Sequence, residues 1–511
     1  MNPLKRFTSK TVLFGAVLSL FVVALLFAQP RRAATTDVKP DSKTAPSPKP
    51  PAEVQINLDK ALEVKIPEPS AALRATPFKT PDGKGGWVIR IPGGHAIATP
   101  AYSDGMIFVG GGYGSHEFYA FDGQTGAVVW RAKTSDDGPS AAVVENGYVA
   151  FNTESCTVVV CQAKTGKVVW QEWLGDPLMS QPAISNGRLY IAYPGGQRGH
   201  KTANAHNGTS TAASRTGHRL LCADLKTGRH LWEQEITADV ISAPVVSGDQ
   251  VLFTCFDGTS FCINAISGSV AWTKNNAGTS APLIANGEVV LTQKEQRDGE
   301  DYEGLQRVDL RRGQQKEGKL MAAGKAKYLG QNKGGGVGIS KEAQGAADAA
   351  VGFSSAPPAA KLDAANQHLG INTVVGGWAY QGSRAAHKGG QMMNAQGRFI
   401  NSVRMTDGNL AWRAEVNGTN IDIDSQVFSP PALGEQNMYL SSSEGHIVSI
   451  RQKDGQVGFI YSTRKPVAFQ PALAKGNVYV GTVNGLLICL KTGELDADGW
   501  YAWGGNAQHN K

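Results

Sequence analysis

The sequence predicts an all-β protein, an eight-bladed β-propeller of four-stranded antiparallel blades, and three observations carry that prediction. A phrase ending in tryptophan recurs, as Asp122-Gly-Gln-Thr-Gly-Ala-Val-Val-Trp130, Ala163-Lys-Thr-Gly-Lys-Val-Val-Trp170, Asp224-Leu-Lys-Thr-Gly-Arg-His-Leu-Trp232 and Ala265-Ile-Ser-Gly-Ser-Val-Ala-Trp272. These tryptophans are spaced by 40, 62 and 40 residues, and a period near 40 is the length of one propeller blade. Each unit also opens with an apolar run broken by Asp104-Gly105, Asn146-Gly147, Asn186-Gly187, Asn286-Gly287 or Gly476-Asn477. Such pairs between β-branched or aromatic runs are hairpin signals.

Taken in chain order, the first element is a leader at 1–29. Lys5, Arg6 and Lys10 precede an uncharged run of 18 residues, Thr11 to Ala28. The run exceeds the apolar core of a usual signal peptide and reaches the ~17–25 residues that span a bilayer, so a membrane-spanning or signal helix is expected. An uncleaved inner-membrane anchor at about 11–28 is favoured, with the body on the periplasmic or cell-surface side; cleavage would release an exported soluble protein. Residues 30–85 read as a Pro-rich linker, as in Lys43-Thr-Ala-Pro-Ser-Pro-Lys-Pro-Pro51, a composition suited to an extended spacer.

The propeller is expected over 86–511. Turn glycines at Gly126, Gly166, Gly228, Gly268, Gly313, Gly408, Gly455 and Gly493 count eight blades. The glycine supplies a positive φ to the turn between the third and fourth strands, and the aromatic four residues later packs between blades. Weaker copies end at Trp412 and Phe459. The eighth copy has no fourth strand after Gly493, whereas Gly85-Gly-Trp-Val-Ile-Arg-Ile91 supplies an unpaired one containing Trp87. This amino-terminal strand is expected to close the ring and remove a sheet edge. Insertions are expected at about 195–217 and 318–372, where the period breaks.

Charge and cysteine content narrow the function classes. Residues 1–85 hold 13 of the 50 Lys/Arg and 7 of the 43 Asp/Glu, so six of the seven excess positive charges lie outside the propeller. Nucleic acid is therefore not an expected partner. The six cysteines form neither C-x-x-C nor C-x-x-C-H. Cys255 and Cys262 flank Asp257-Gly258 on one hairpin, where a two-residue turn sets Cys255 opposite Ser260 and a disulfide would need a longer turn.

The Thr-Gly-x-x-x-Trp phrases ending at Trp130, Trp170, Trp232 and Trp272 resemble the PQQ-like (quinoprotein-type) β-propeller repeat family, over about residues 86–511. The resemblance implies the fold. For function it implies two branches: quinone-binding dehydrogenases with Ca²⁺ and an adjacent-cysteine disulfide, and outer-membrane assembly lipoproteins that bind protein partners. No two cysteines here are adjacent and no lipobox follows the leader. The closing Trp500-Tyr-Ala-Trp-Gly-Gly-Asn-Ala-Gln-His509 resembles a tail of bacterial members.

In a propeller the connections from the fourth strand of one blade to the first of the next gather at one end of the channel. Asp136, Asp137, Asp176, Asp239, Asp422 and Asp424 fall in such connections, as oxygen ligands that would suit calcium. His95, Arg464 and Lys465 fall in two others and are the groups for an anionic cofactor such as PQQ. The expected function is a membrane-tethered, non-catalytic scaffold for envelope proteins with a monomeric propeller; the alternative is a PQQ- and calcium-dependent oxidoreductase or ligand sensor using this funnel.

Overall fold

The computed structural model describes residues 51–154, 156–175, 180–194, 217–326, 380–419 and 427–511. They form eight sheets, seven with four consecutive strands in meander order and the eighth with three and an amino-terminal strand, named A to D from the centre outward. Blade 1 is typical, with strands Ala101–Ser103, Met106–Gly110, Glu117–Asp122 and Val128–Lys133. The A strands of neighbouring blades touch around most of the ring. A–B and C–D turns share one end of the ring, because the backbone N–H of the C–D turn donates to the A–B turn, as from Gly123 to Gly105 and from Ala163 to Gly147, both at 2.8 Å.

The recurring phrase locks blades together. Each turn glycine has φ near +70°, and a Cβ on Gly166, Gly228, Gly268, Gly313 or Gly455 would lie within 3 Å of the preceding blade's tryptophan. The indole lies on bare backbone while its Nε1 donates to the carbonyl three residues before that glycine: Trp130 to Ala163 at 2.8 Å, Trp170 to Leu225 at 2.8 Å, Trp232 to Ala265 at 3.1 Å, Trp272 to Leu310 at 2.9 Å and Trp412 to Gln452 at 2.8 Å. Trp87 covers Gly126 in the same way, but the Gly123 carbonyl it would reach accepts from the Tyr479 hydroxyl at 3.0 Å. In blade 5 Met321 takes the tryptophan's place, its sulfur against Gly408.

The ring closes through four amino-terminal strands: β1 (Ala52–Asn57), β2 (Leu62–Glu63), β3 (Thr76–Lys79) and β4 (Gly85–Arg90). β4 supplies the D strand of blade 8, with Trp87 opposite Cys489. The linker expected up to residue 85 gives way to structure from Ala52, because this stretch satisfies its backbone on free blade edges. β1 pairs in parallel with blade 6 from Ala52↔Trp412 to Asn57↔Asn417, β2 pairs in parallel with Tyr461–Ser462 of blade 7, and β3 pairs antiparallel with β4. Blades 6, 7 and 8 are thus five-stranded, where four were expected. Ile56, Leu58 and Val64 of this belt are buried in the core of those blades.

Three local expectations shift. The blade 8 hairpin turns at Lys475-Gly476, both with positive φ as a type I′ turn requires, so Asn477 is the first residue of its B strand. Cys255 faces Thr259 and not Ser260, since Thr254 already pairs with Ser260. Cys262 lies opposite Leu252, and both cysteines are free and buried. Met321–Lys325, inside the expected excursion at 318–372, is the D strand of blade 5. The leader at 1–29, residues 30–50 of the linker, 195–216 of the first insertion and 327–372 of the second lie outside the described residues. Among the described residues no helix is long and apolar enough to cross a membrane.

The interlock predicts a contrast between two glycines of blade 3. Gly228 and Gly187 have φ of +72° and +71°, but only a Cβ on Gly228 would meet a neighbour, Trp170 at 2.9 Å. Gly187→Ala should cost about 1 kcal/mol of backbone strain, and Gly228→Ala about 1–3 kcal/mol more, read as denaturant midpoints. In a Trp170→Ala background the difference between the two should vanish.

Candidate functional site

The funnel end, formed by the D–A connections, is where ligand residues were expected. Asp136 is buried, and its carboxylate accepts from the hydroxyls of Thr153 in the B–C turn of blade 2 and Thr157 at the start of the C strand. The Asp137 carbonyl accepts from the Glu154 N–H at 2.8 Å, and the Asp239 carbonyl from the Phe256 N–H at 2.8 Å. The Asp239 carboxylate lies 3.2 Å from His218 Nδ1. These connections are thus bonded to the B–C turn beside them. Asp176, Asp422 and Asp424 lie outside the described residues, and among the described residues no three His, Cys, Asp or Glu side chains group as would hold a metal ion.

The three residues considered for an anionic cofactor do not converge as free cations. Arg464 pairs with Glu63 at 2.9 Å and Lys465 with Glu68 at 2.7 Å. Glu68 also pairs with Arg90, and its bond to Lys465 together with these two cations holds its carboxyl below the usual range. The pair at 464–465 therefore docks the belt onto the ring. His95 is packed against Gly93 and Gly112; burial lowers its pKa, with Asp137 opposing. A quinone carboxylate finds no free cation at these positions, so the described residues do not fit PQQ there.

Further in, polar side chains of the chain itself line and cross the channel. Ser140, Ser180, Ser242, Ser280, Ser383 and Ser429 recur just before the A strands of blades 2 to 7, all buried. Gln381 spans the middle: its Nε2 donates to Thr99 Oγ1 and its Oε1 accepts from the Gln470 N–H, both at 2.8 Å. The Ser242 hydroxyl donates to the Tyr380 carbonyl. Sequence reasoning missed this ring, although a Ser, Thr or Gln one or two residues before proline, as in Thr99-Pro100, Ser242-Ala-Pro244 and Gln470-Pro471, was visible.

The closing segment plugs the channel from the opposite end. Its carbonyls accept from four A strands: Trp500 from Leu473 at 2.7 Å, Tyr501 from Tyr102 at 2.6 Å, Ala507 from Ile184 at 2.7 Å and Gln508 from Val246 at 2.9 Å. His509 is fully buried, with Nδ1 2.7 Å from the Trp503 carbonyl and Nε2 2.9 Å from the Pro182 carbonyl. Burial pushes its pKa down to about 4, and the two carbonyls oppose that shift. Arg384 donates to the carbonyls of Pro282, His509 and Lys511 and stacks on Trp503; burial brings its pKa down to about 9. Trp500 and Trp503 are each only 1% exposed. Clefts lined by described residues include one of about 550 Å³ between belt and blade 7 and one of about 530 Å³ between Tyr501 and blade 1.

A profile described as outer membrane protein assembly factor BamB, of the PQQ-like repeat type, matches residues 74–172, 115–211, 193–334 and 372–494. The chain belongs to this PQQ-like propeller family. Among its relatives, BamB of Nitrosomonas eutropha is 23% identical over 37% of this chain and 44% of its own length. BamB of Burkholderia pseudomallei is 23% identical over 43% of this chain and 65% of its own length. The quinoprotein alcohol dehydrogenase PedH of Pseudomonas putida is 31% identical over 20% of this chain and 19% of its own length. The chain thus spans less than two thirds of these relatives. The crystal structure of BamB from Moraxella catarrhalis superposes with a TM-score of 0.50 at 12% identity, over 79% of this chain and 96% of that one, which shows a shared fold.

One titratable group of this propeller stands apart. Glu303, fully buried in blade 5, accepts from the hydroxyls of Thr279 and Ser383, and burial raises its pKa from 4.5 to about 7. Below pH ~4.5 it is protonated in both folded and unfolded chains; as pH rises towards 7 only the unfolded chain releases its proton, so stability falls. The loss from this group should reach about 3 kcal/mol above pH 7. Glu303→Gln cannot ionise and should gain on the native protein as pH rises from 5 to 8, as melting temperatures across that range will show.

Proposed function

We propose that this propeller is a non-catalytic, membrane-tethered scaffold of the cell envelope that presents its funnel end to protein partners. The observation that carries this reading is the blade 5 hairpin. Its B and C strands, Glu288–Arg297 and Glu300–Asp309, are 10 residues each and pair throughout. The corresponding strands of blade 1 are 5 and 6 residues long. Four or five extra residues at ~3.3 Å carry the hairpin roughly 15 Å beyond the funnel end. Its arm is stiffened by Lys294–Asp301 at 2.9 Å, by Arg297–Glu295 at 2.9 Å and by Arg297 over the Tyr302 ring.

The bonds by which Gln381 bridges Thr99 and Gln470 across the channel support the same reading. The relatives described as outer membrane protein assembly factors support an envelope setting. The apolar leader at about 11–28 would anchor the body in the inner membrane. The family's quinoprotein members keep the rival alive, and a reconstitution assay separates the two.

A photocrosslinker placed at the exposed hairpin residue Asp298, or at Glu444 in the exposed B–C turn of blade 7, should capture envelope proteins in cells. Replacing 295–302 by a short glycine turn, which removes Asp298 itself, should abolish capture at Glu444 and leave thermal stability unchanged. Capture that survives this replacement, or dye-linked dehydrogenase activity after addition of PQQ and Ca²⁺, would overturn the scaffold reading.

A further inference from the structure

The end of the ring opposite the funnel carries an amphipathic face, and we infer that the C–D turns of blades 2 to 5 rest on an anionic lipid surface. The turns of blades 2, 3 and 5 expose Lys164, Lys167, Lys226, Arg229, Arg311 and Arg312. No ion pair within 4 Å involves them among the described residues. The turn of blade 4 carries no charge and presents Ile266, 64% exposed. Beside the turns, the first residues of the D strands are exposed aliphatics: Val168 and Val169 in blade 2, Val270 in blade 4, and Val128 and Val129 in blade 1.

The same turns on the other side of the ring are built differently. In blade 6 Arg404 pairs with Asp407 at 3.1 Å, and in blade 7 Arg451 pairs with Asp454 at 2.6 Å. Ala411 and Val457, the counterparts there of the exposed valines, pack against the core beneath the belt. The blade 8 turn region is acidic, with Glu494, Asp496 and Asp498 around the exposed Leu495. Exposed aliphatics thus sit beside unpaired cations on this arc, whereas Leu495 sits among carboxylates, and the first combination suits headgroups and the outer acyl layer together.

The entry point of the chain selects lipid over an acidic protein. β1 runs parallel to the blade 6 D strand, with Ala52 beside Trp412 at its start. A D strand starts at the C–D turn, so the chain reaches the body at the end that carries the cationic turns. Only 23 residues separate Ala52 from Ala28, the last residue of the apolar run. The orientation rests on the anchoring reading above; the lipid chemistry of the arc does not.

The test uses the full chain with vesicles of phosphatidylcholine alone, or of phosphatidylcholine mixed with phosphatidylglycerol, followed by flotation and hydrogen exchange. Each cation at the surface is worth roughly fivefold in binding. Exchange in 163–169, 224–230, 264–270 and 309–314 should slow roughly tenfold or more with phosphatidylglycerol and recover at high salt. The K164E/K226E/R311E variant should lose that protection while keeping its melting temperature and its exchange at the funnel end. Equal exchange in both vesicle types overturns the proposal, as does protection of these turns by an envelope-protein extract without lipid. Flotation with neutral vesicles reads the anchor separately: a chain that floats only with phosphatidylglycerol supports the lipid face and discards the anchor.

Discussion

An indole lying flat on the bare backbone of the next blade's turn is the contact on which the ring depends. It needs a glycine for two reasons at once: the turn demands a left-handed φ, and the ring system occupies the volume a Cβ would take. The Nε1 bond three residues upstream sets the angle between blades as well as their separation. Because five junctions use the same geometry, small errors do not accumulate and the eighth blade arrives where the first can be joined. Where the tryptophan is absent, other material holds the junction: Met321 at Gly408, and the belt residues Ile56, Leu58 and Val64 in the core shared by blades 6 to 8.

The closed ring leaves two tasks to its flanking segments. The closing segment spends its backbone on four inner strands and buries Trp500 and Trp503 against them. The belt performs the same service outside, sealing the edges of three blades. Glu68, held between Lys465 and Arg90, shows how a charge pair in a funnel loop can belong to the fold rather than to a ligand. What is left for interaction is the two ends of the cylinder, one bearing the long hairpin of blade 5 and the other the cationic arc.

The legible parts of this fold were those encoded within a few residues. The Thr-Gly-x-x-x-Trp phrase reports its own turn and its own packing, so blade count, strand order and the role of Trp87 in closure could be read directly. The belt could not, because β1 alternates Ala52, Val54 and Ile56 with polar residues over only six positions next to a Pro-rich stretch, β2 is two residues long, and both gain their structure from edges more than 350 positions away. Arg464 and Lys465 misled for the same reason: a cationic pair looks free until remote Glu63 and Glu68 are in place. The turn at Lys475-Gly476 was misplaced by one residue, since Gly-Asn and Lys-Gly compete and only strand register decides. The serines before the A strands were legible in principle, as a Ser-Ala-Pro pattern, but their meaning depends on convergence at an axis that no local sequence describes.

Blade 8 joins β4 to a strand roughly 400 residues later in the chain. At ~5–20 residues per second, synthesis holds the two partners apart for about 20–80 seconds. Throughout that interval the strand of Trp87 has only β3 beside it, and its other edge is open to any other extended chain. Seven blades can form while they wait, which makes the last junction a latch that fastens only after nearly the whole polypeptide exists. Such a latch turns chain completion into a checkpoint, because a truncated product would be left with an unpaired edge and an empty bore, a shape that quality-control proteases can distinguish from the finished cylinder.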